Sequence, residues 1–154
     1  MKILLAVDGS IFSEAAVFAV AGRPWPPASE VKVLSAFETP SLPPSPEGWA
    51  IPQDYLTELE RSARAEATKA VANAVSKLKT GTSGALKISS DVVQGSPKHV
   101  ILDEADRWRA DLIVVGSHGY RGWERFLLGS VSQAVVSHAK CSVEVVRSRP
   151  GEGS

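Results

Sequence analysis

Lys2-Ile-Leu-Leu-Ala-Val7 is a nearly unbroken apolar run that stops at Asp8-Gly9-Ser10. A strand buried on both faces reads this way, because none of its positions has to meet water. Helix formers follow from Ser13 to Ala21 and end at Gly22, with prolines beyond. Val31 to Phe37 is a second strand. From Asp54 to Lys79 the apolar residues fall at steps of three and four, the period of a long amphipathic helix, and Gly81 to Gly84 end it. Leu86 to Val93 alternates as a strand does. Gly95-Ser96-Pro97 then offers a capping serine and a proline at the first helical position. That helix runs to about Arg109. Asp111 to Val115 is a fourth strand, Ser130 to Ala139 a fourth helix and Ser142 to Arg147 a fifth strand.

Strands and helices alternate throughout, which predicts a parallel sheet with helices on both faces. Pro40 to Pro52 interrupts the alternation with five of the ten prolines and Trp49. It reads as a long connection between the second strand and its helix: a solvent-exposed loop, or a lid or partner surface.

A length of 154 residues suits one domain. Seventeen basic residues balance seventeen acidic ones, so no basic face is implied, and neither nucleic acid nor a membrane is expected as a partner. A single cysteine, Cys141, excludes an internal disulfide, and with three scattered histidines it cannot build a structural zinc site. The apolar run Ile3 to Val7 is too short for a signal-peptide core or a membrane span, so a soluble, cytoplasmic protein is expected.

Ligands of open parallel sheets bind beyond the carboxyl ends of the strands, where the winding reverses. For strand order 3-2-1-4-5 the reversal lies between strands one and four, beyond which stand Asp8-Gly9-Ser10 and Gly116-Ser117-His118-Gly119. For order 2-1-3-4-5, Gly95-Ser96-Pro97 replaces the second segment. Gly116 and Gly119 allow a tight backbone with exposed amides. Gly129-Ser130 opens the next helix, whose first N–H groups lack intrahelical partners. Together these elements could converge on one anion. There is no Walker lysine in this stretch, so the P-loop reading fails. A glycine-rich turn followed by a serine cap, with no ligand, is the plainer alternative.

Gly116-x2-Gly119-x9-Gly129-Ser130 resembles the nucleotide-binding signature of the universal stress protein family, G-x2-G-x9-G-[ST]. Ile113 to Gly119, Arg125 to Ser132, the opening Ile3 to Ser10 with Ser13 to Ala16, Val92 to Pro97 and Cys141 to Val146 are similar to that family too. The resemblance covers Met1 to about Arg147. It implies a single domain over residues 1–148 with a flexible tail over 149–154. It also implies an α/β fold: an open five-stranded parallel sheet of order 3-2-1-4-5, Rossmann-like, of the adenine nucleotide alpha hydrolase-like type.

The same resemblance implies an adenine-nucleotide site. Asp8 would hold the ribose or adenine side, with Ala6 and Val7 beside it; Ala36 and Val115 would line the base. Gly116, Gly119, Gly129, Ser130 and Val131 would contact ribose and phosphates. From the residues alone, Ser117 could donate to phosphate or to its own backbone, His118 could cover phosphate or stand exposed, and Arg121 and Arg125 could reach phosphate or form a solvated loop face. The ligand implied is ATP, or AMP or ADP, with or without Mg2+. No catalytic residue is assigned, because Asp8 is the only acidic residue placed at the crevice and it belongs to the nucleoside. A nucleotide-dependent regulatory module is therefore expected, ahead of a slow ATPase or phosphotransferase and of a nucleotide-independent interaction protein. A homodimer through the fifth strand is also expected, with Val143, Val145 and Val146 on an exposed edge.

Overall fold

The computed structural model describes residues 1–39, 52–119 and 127–148. Most of the Pro40–Pro52 loop, Arg121, Arg125 and the tail at 149–154 lie outside them. The elements are β1 (Lys2–Ala6), α1 (Ile11–Ala21), β2 (Glu30–Phe37), α2 (Gln53–Gly81), β3 (Lys87–Gln94), α3 (Pro97–Trp108), β4 (Leu112–Gly116), α4 (Ser130–His138) and β5 (Ser142–Val146). All neighbouring strands pair in parallel, in the order β3-β2-β1-β4-β5. The reversal lies between β1 and β4.

Alternation along each strand divides the core into two layers. Ile3, Leu5, Val31, Val33, Leu112 and Val114 face α1 and α2. Leu4, Leu34, Ile113 and Val115 face α3 and α4. Ile3, Leu4 and Leu5 are fully buried in succession, which explains why β1 reads as a solid apolar run. Each such side chain contributes about 1.5–3 kcal/mol by leaving water. Trp25 packs the end of α1 and donates its indole N–H to the Val20 carbonyl at 2.8 Å.

Two helix starts differ from the sequence reading in how they are capped. α1 begins at Ile11, two residues before Ser13, because Ser10 caps it: its hydroxyl accepts from the Ser13 N–H at 3.2 Å. Ser96 stands at the N-cap of α3 with extended backbone but makes no side-chain capping bond. Among the described residues no helix is long and apolar enough to cross a membrane.

The α3 layer contains a buried charge. Glu104 is 5% exposed, accepts from Lys32 Nζ at 2.6 Å and from Arg107 Nε at 2.9 Å, and lies one turn below Ile101. Burial pushes its carboxyl pKa up. The hydrogen bonds from Lys32 and Arg107, with their charges, outweigh burial and hold it below the usual range.

A candidate nucleotide crevice at the reversal point

The β1 side of the crevice is built by a turn. Gly9 takes φ +80°, a conformation that favours glycine, and turns the chain from β1 into α1. Asp8 Oδ1 accepts from the Ser10 N–H at 2.9 Å, and the Asp8 N–H donates to Ser13 Oγ at 3.3 Å. Ser13 in turn donates to the Ser10 carbonyl at 3.0 Å. The Asp8 carboxylate is thereby set at the amino end of α1.

The β4 side is built around the Ser117 peptide. Its N–H donates to the Val146 carbonyl at 2.8 Å, and its carbonyl accepts from the Gly129 N–H at 2.8 Å and from Ser132 Oγ at 2.9 Å. Ser132 also reaches the Gly129 carbonyl at 2.9 Å. Ser117 Oγ lies 3.1 Å from His118 Nδ1, and the His118 ring packs on Phe12 with centroids 5.1 Å apart. His118 Nε2 is buried without a hydrogen-bond partner among the described residues.

Between the two sides lies an open crevice. Ala6, Val7, Asp8, Ala36, Val115, Gly116, His118, Gly119 and Val131 all line it, so sequence reasoning gathered most of its wall. Gly129, Ser130 and Ser117 do not line it. Ser117 is 3% exposed, and Gly129 is the N-cap of α4 with its N–H already given to Ser117. The first backbone bond within α4 runs from Gln133 to Gly129, so the N–H groups of Ser130, Val131 and Ser132 have no intrahelical acceptor.

The glycines have reasons other than open amides. A Cβ on Gly116 would stand 2.6 Å from the Phe12 carbonyl carbon and oxygen; one on Gly119 would stand 3.0 Å from Asp8 Oδ2; one on Gly129 would meet His118 Cα at 3.1 Å. They bring strand end, loop and helix into contact, and Gly119 closes the two sides of the crevice on each other.

Five lining residues were missed by the sequence reading: Ser13, Leu34, Pro97, Ile101 and Ser132. Leu34 was legible, since it shares a face with Ala36 two residues on. Pro97 and Ile101 come from a segment that the sequence placed at the crevice only for the alternative strand order. In the observed order α3 must cross from the β3 edge to β4, and its amino end passes over β2. Ser13 and Ser132 are each the third residue of a helix, a position that carries no motif by itself.

The crevice therefore has an apolar slot, formed by Leu34, Ala36, Pro97, Ile101, Val115 and Val131, and a polar end at Asp8, Ser13, His118, Gly119 and Ser132. The amino ends of α1, α3 and α4 all lie along it, each presenting partial positive charge. Among the described residues no group of three His, Cys, Asp or Glu side chains could hold a metal ion. Cys141 packs against the α3 layer, and burial pushes its thiol pKa up, away from nucleophilic character.

A doubly wound α/β protein with a ligand crevice at its reversal point is the class that fold and site define. The chain belongs to the universal stress protein family, whose sequence pattern it matches over residues 1–147. It is 30% identical over 148 residues to the universal stress protein YxiE of Bacillus subtilis, covering 95% of this chain and 98% of that one. Over 94 residues it is 36% identical to the universal stress protein MJ0531 of Methanocaldococcus jannaschii, covering 61% of this chain. That match spans about half of the relative's length, 52%. A match to the universal stress protein A homolog 2 of Coxiella burnetii, 52% identical over 65 residues and 40% of this chain, spans 44% of that relative. Among solved structures, the universal stress protein UspA of Lactobacillus plantarum superposes with a TM-score of 0.77 at 29% identity, over 96% of this chain and 97% of that one. A universal stress protein solved in complex with cAMP superposes with a TM-score of 0.63 at 26% identity, over 95% and 96%.

Proposed function

We propose that this chain binds an adenine nucleotide in the crevice between β1 and β4 and acts as a nucleotide-dependent regulatory module in a stress response. The observation that carries the reading is the pairing of an apolar slot, reached by the amino end of α3, with a polar end at the amino ends of α1 and α4. A purine fits the first and phosphate the second. Asp8 takes the ribose or adenine side with Gly119 against its carboxylate at the ribose, Ala36 and Val115 take the base, and Val131 and the α4 amino end the phosphates. The family membership and the cAMP complex of a relative support this reading.

ATP is the proposed ligand, with AMP and ADP as shorter forms. The described residues offer no protein cage for Mg2+, so a Mg2+ ion would arrive with the polyphosphate. The module is proposed as one domain over residues 1–148, cytoplasmic, and dimeric through the β5 edge. Its decisive experiment is mass spectrometry of ligand released from purified, denatured protein, followed by isothermal titration with ATP, ADP, AMP and GTP. Micromolar ATP binding, about −8 kcal/mol, is expected. The absence of heat and of thermal shift for every adenine nucleotide up to millimolar concentration overturns the reading.

A further inference from the structure

We infer that Ser132 is the positioning residue of the phosphate end of this crevice, acting through the Ser117 peptide; the inference rests on the nucleotide reading above. Ser132 is 3% exposed and is the third residue of α4. Its single hydroxyl proton is shared between the Ser117 and Gly129 carbonyls, each 2.9 Å from the hydroxyl oxygen, a three-centre bond that ties the chain leaving β4 to the chain entering α4. With the Gly129 N–H, it gives the Ser117 carbonyl two donors.

That double hold has an electrostatic consequence. A carbonyl oxygen beside the amino end of a helix competes with any anion for the same donors. Drawn onto Gly129 and Ser132, the Ser117 oxygen consumes one backbone donor and one hydroxyl and leaves the N–H groups of Val131 and Ser132, both residues of the crevice wall, to a phosphate. The residues that follow Ser117 are His118 and Gly119, both in the crevice wall, so the orientation of this one peptide sets where they stand. Its other end is anchored too, by the bond from the Ser117 N–H to the Val146 carbonyl at the end of β5. The β1 side repeats the device: Ser13, also third in its helix, donates to the N-cap carbonyl of Ser10 and accepts from the Asp8 N–H. On both sides an N3 serine ties the end of a strand to the start of a helix.

The test compares wild type with Ser132→Ala and Ser132→Thr, which keeps the hydroxyl. Two measurements are made: amide hydrogen exchange without nucleotide, and titration with ATP and adenosine. In Ser132→Ala the Gly129 and Ser117 amides should exchange at least tenfold faster while the Leu4 and Ile113 amides keep their protection. ATP affinity should fall about tenfold and adenosine affinity by less than threefold, with Ser132→Thr restoring ATP binding. A role in packing alone would weaken both ligands alike, and that result overturns the inference. So does unchanged exchange at Gly129 and Ser117 in a folded Ser132→Ala protein. Wild type itself supplies a check that needs no variant: its Gly129 and Ser117 amides should be among the slowly exchanging ones, and their rapid exchange counts against the hold. If wild type shows this protection and binds no nucleotide, the nucleotide reading fails, and the positioning role for phosphate falls with it.

Discussion

Gly116 and Phe12 are in backbone contact: a Cβ built on Gly116 would lie 2.6 Å from the Phe12 carbonyl carbon and oxygen, and 2.9 Å from the Ser13 nitrogen. The last residue of β4 thus abuts the first turn of α1, and the crevice takes its depth from that approach. Because the neighbours are main-chain atoms of a capped helix, they cannot turn aside as a flexible side chain would.

Gly116→Ala should therefore destabilise the fold by about 1–3 kcal/mol, the usual cost of overpacking a tight contact. Its ATP affinity should also fall, since α1 carries the turn that holds Asp8. Urea denaturation with an unchanged m-value but a lowered midpoint would report the first effect. Gly84→Ala is the contrasting substitution. No atom lies within 4 Å of its Cβ, so only the positive φ of +78° opposes it. A loss of about 1 kcal/mol and unaltered ligand binding are expected.

Strand and helix placement was legible in the sequence because burial on both faces, period-two alternation and period-3.6 stripes are local signals; the strand order is non-local, and two orders stayed open until the family resemblance chose β3-β2-β1-β4-β5. Asp8 and Gly119 were legible because they follow the two strands at which the winding reverses; Ala36 and Val115 came from the family resemblance. The roles of the glycines were not legible. Spacing marks a position where a side chain is unwelcome without saying whether backbone, carboxylate or ligand occupies the space. At Gly116 it is the Phe12 backbone, and at Gly119 it is Asp8 Oδ2. Ile101 and Pro97 depended on where a crossover helix passes, a non-local property. Lys32 and Glu104 are 72 positions apart, and neither carries a pattern that pairs them.

Glu104 makes acid stability specific. Its folded pKa lies below the unfolded one because Lys32 and Arg107 donate to the carboxylate and outweigh its burial. The stability it contributes is present above the unfolded carboxyl range, near pH 4.5, and is lost as pH falls through the depressed folded value. Wild type should lose stability over that interval more steeply than Glu104→Gln. At pH 7 Glu104→Ala should cost about 3 kcal/mol, the low end for breaking a buried pair, since Lys32 keeps 17% of its side-chain surface in solvent. Chemical denaturation at a series of pH values checks both the sign and the size.

The proposed dimer has a clean probe in β5. The Val146 carbonyl accepts from Ser117 N–H, so residue 146 turns its backbone groups toward β4, and in a strand the next residue turns them away. Val145 therefore presents its N–H and C=O at the outer edge of the sheet, while its side chain packs on the α3 layer. Val145→Pro should remove an outward donor without breaking the ladder to β4. Sedimentation equilibrium should give twice the chain mass for wild type and the single mass for a folded Val145→Pro protein. A wild-type monomer at high micromolar concentration, or a dimer indifferent to the substitution, would exclude pairing through this edge.

Asp8 and Gly119 separate the two ends of the ligand. A methyl group on Gly119 would stand 3.0 Å from Asp8 Oδ2, tighter than ordinary contact, so the carboxylate must shift by a few tenths of an ångström. Asp8 Oδ1 is meanwhile held by the Ser10 N–H. Gly119→Ala should therefore weaken adenosine and ATP by similar factors, about three- to tenfold, because the disturbance reaches the nucleoside through Asp8. Asp8→Ala should repeat that pattern more strongly, by at least tenfold, about 1.4 kcal/mol for a lost hydrogen bond to a charged group. Gly129→Val with Ser130→Ala acts at the other end, beside His118 Cα and the amino end of α4, and should weaken ATP more than adenosine. Titration of the three variants with both ligands, with circular dichroism to verify folding, gives the comparison. If Gly119→Ala instead weakens ATP alone, Gly119 meets the phosphates directly and Asp8 is not the group through which it acts.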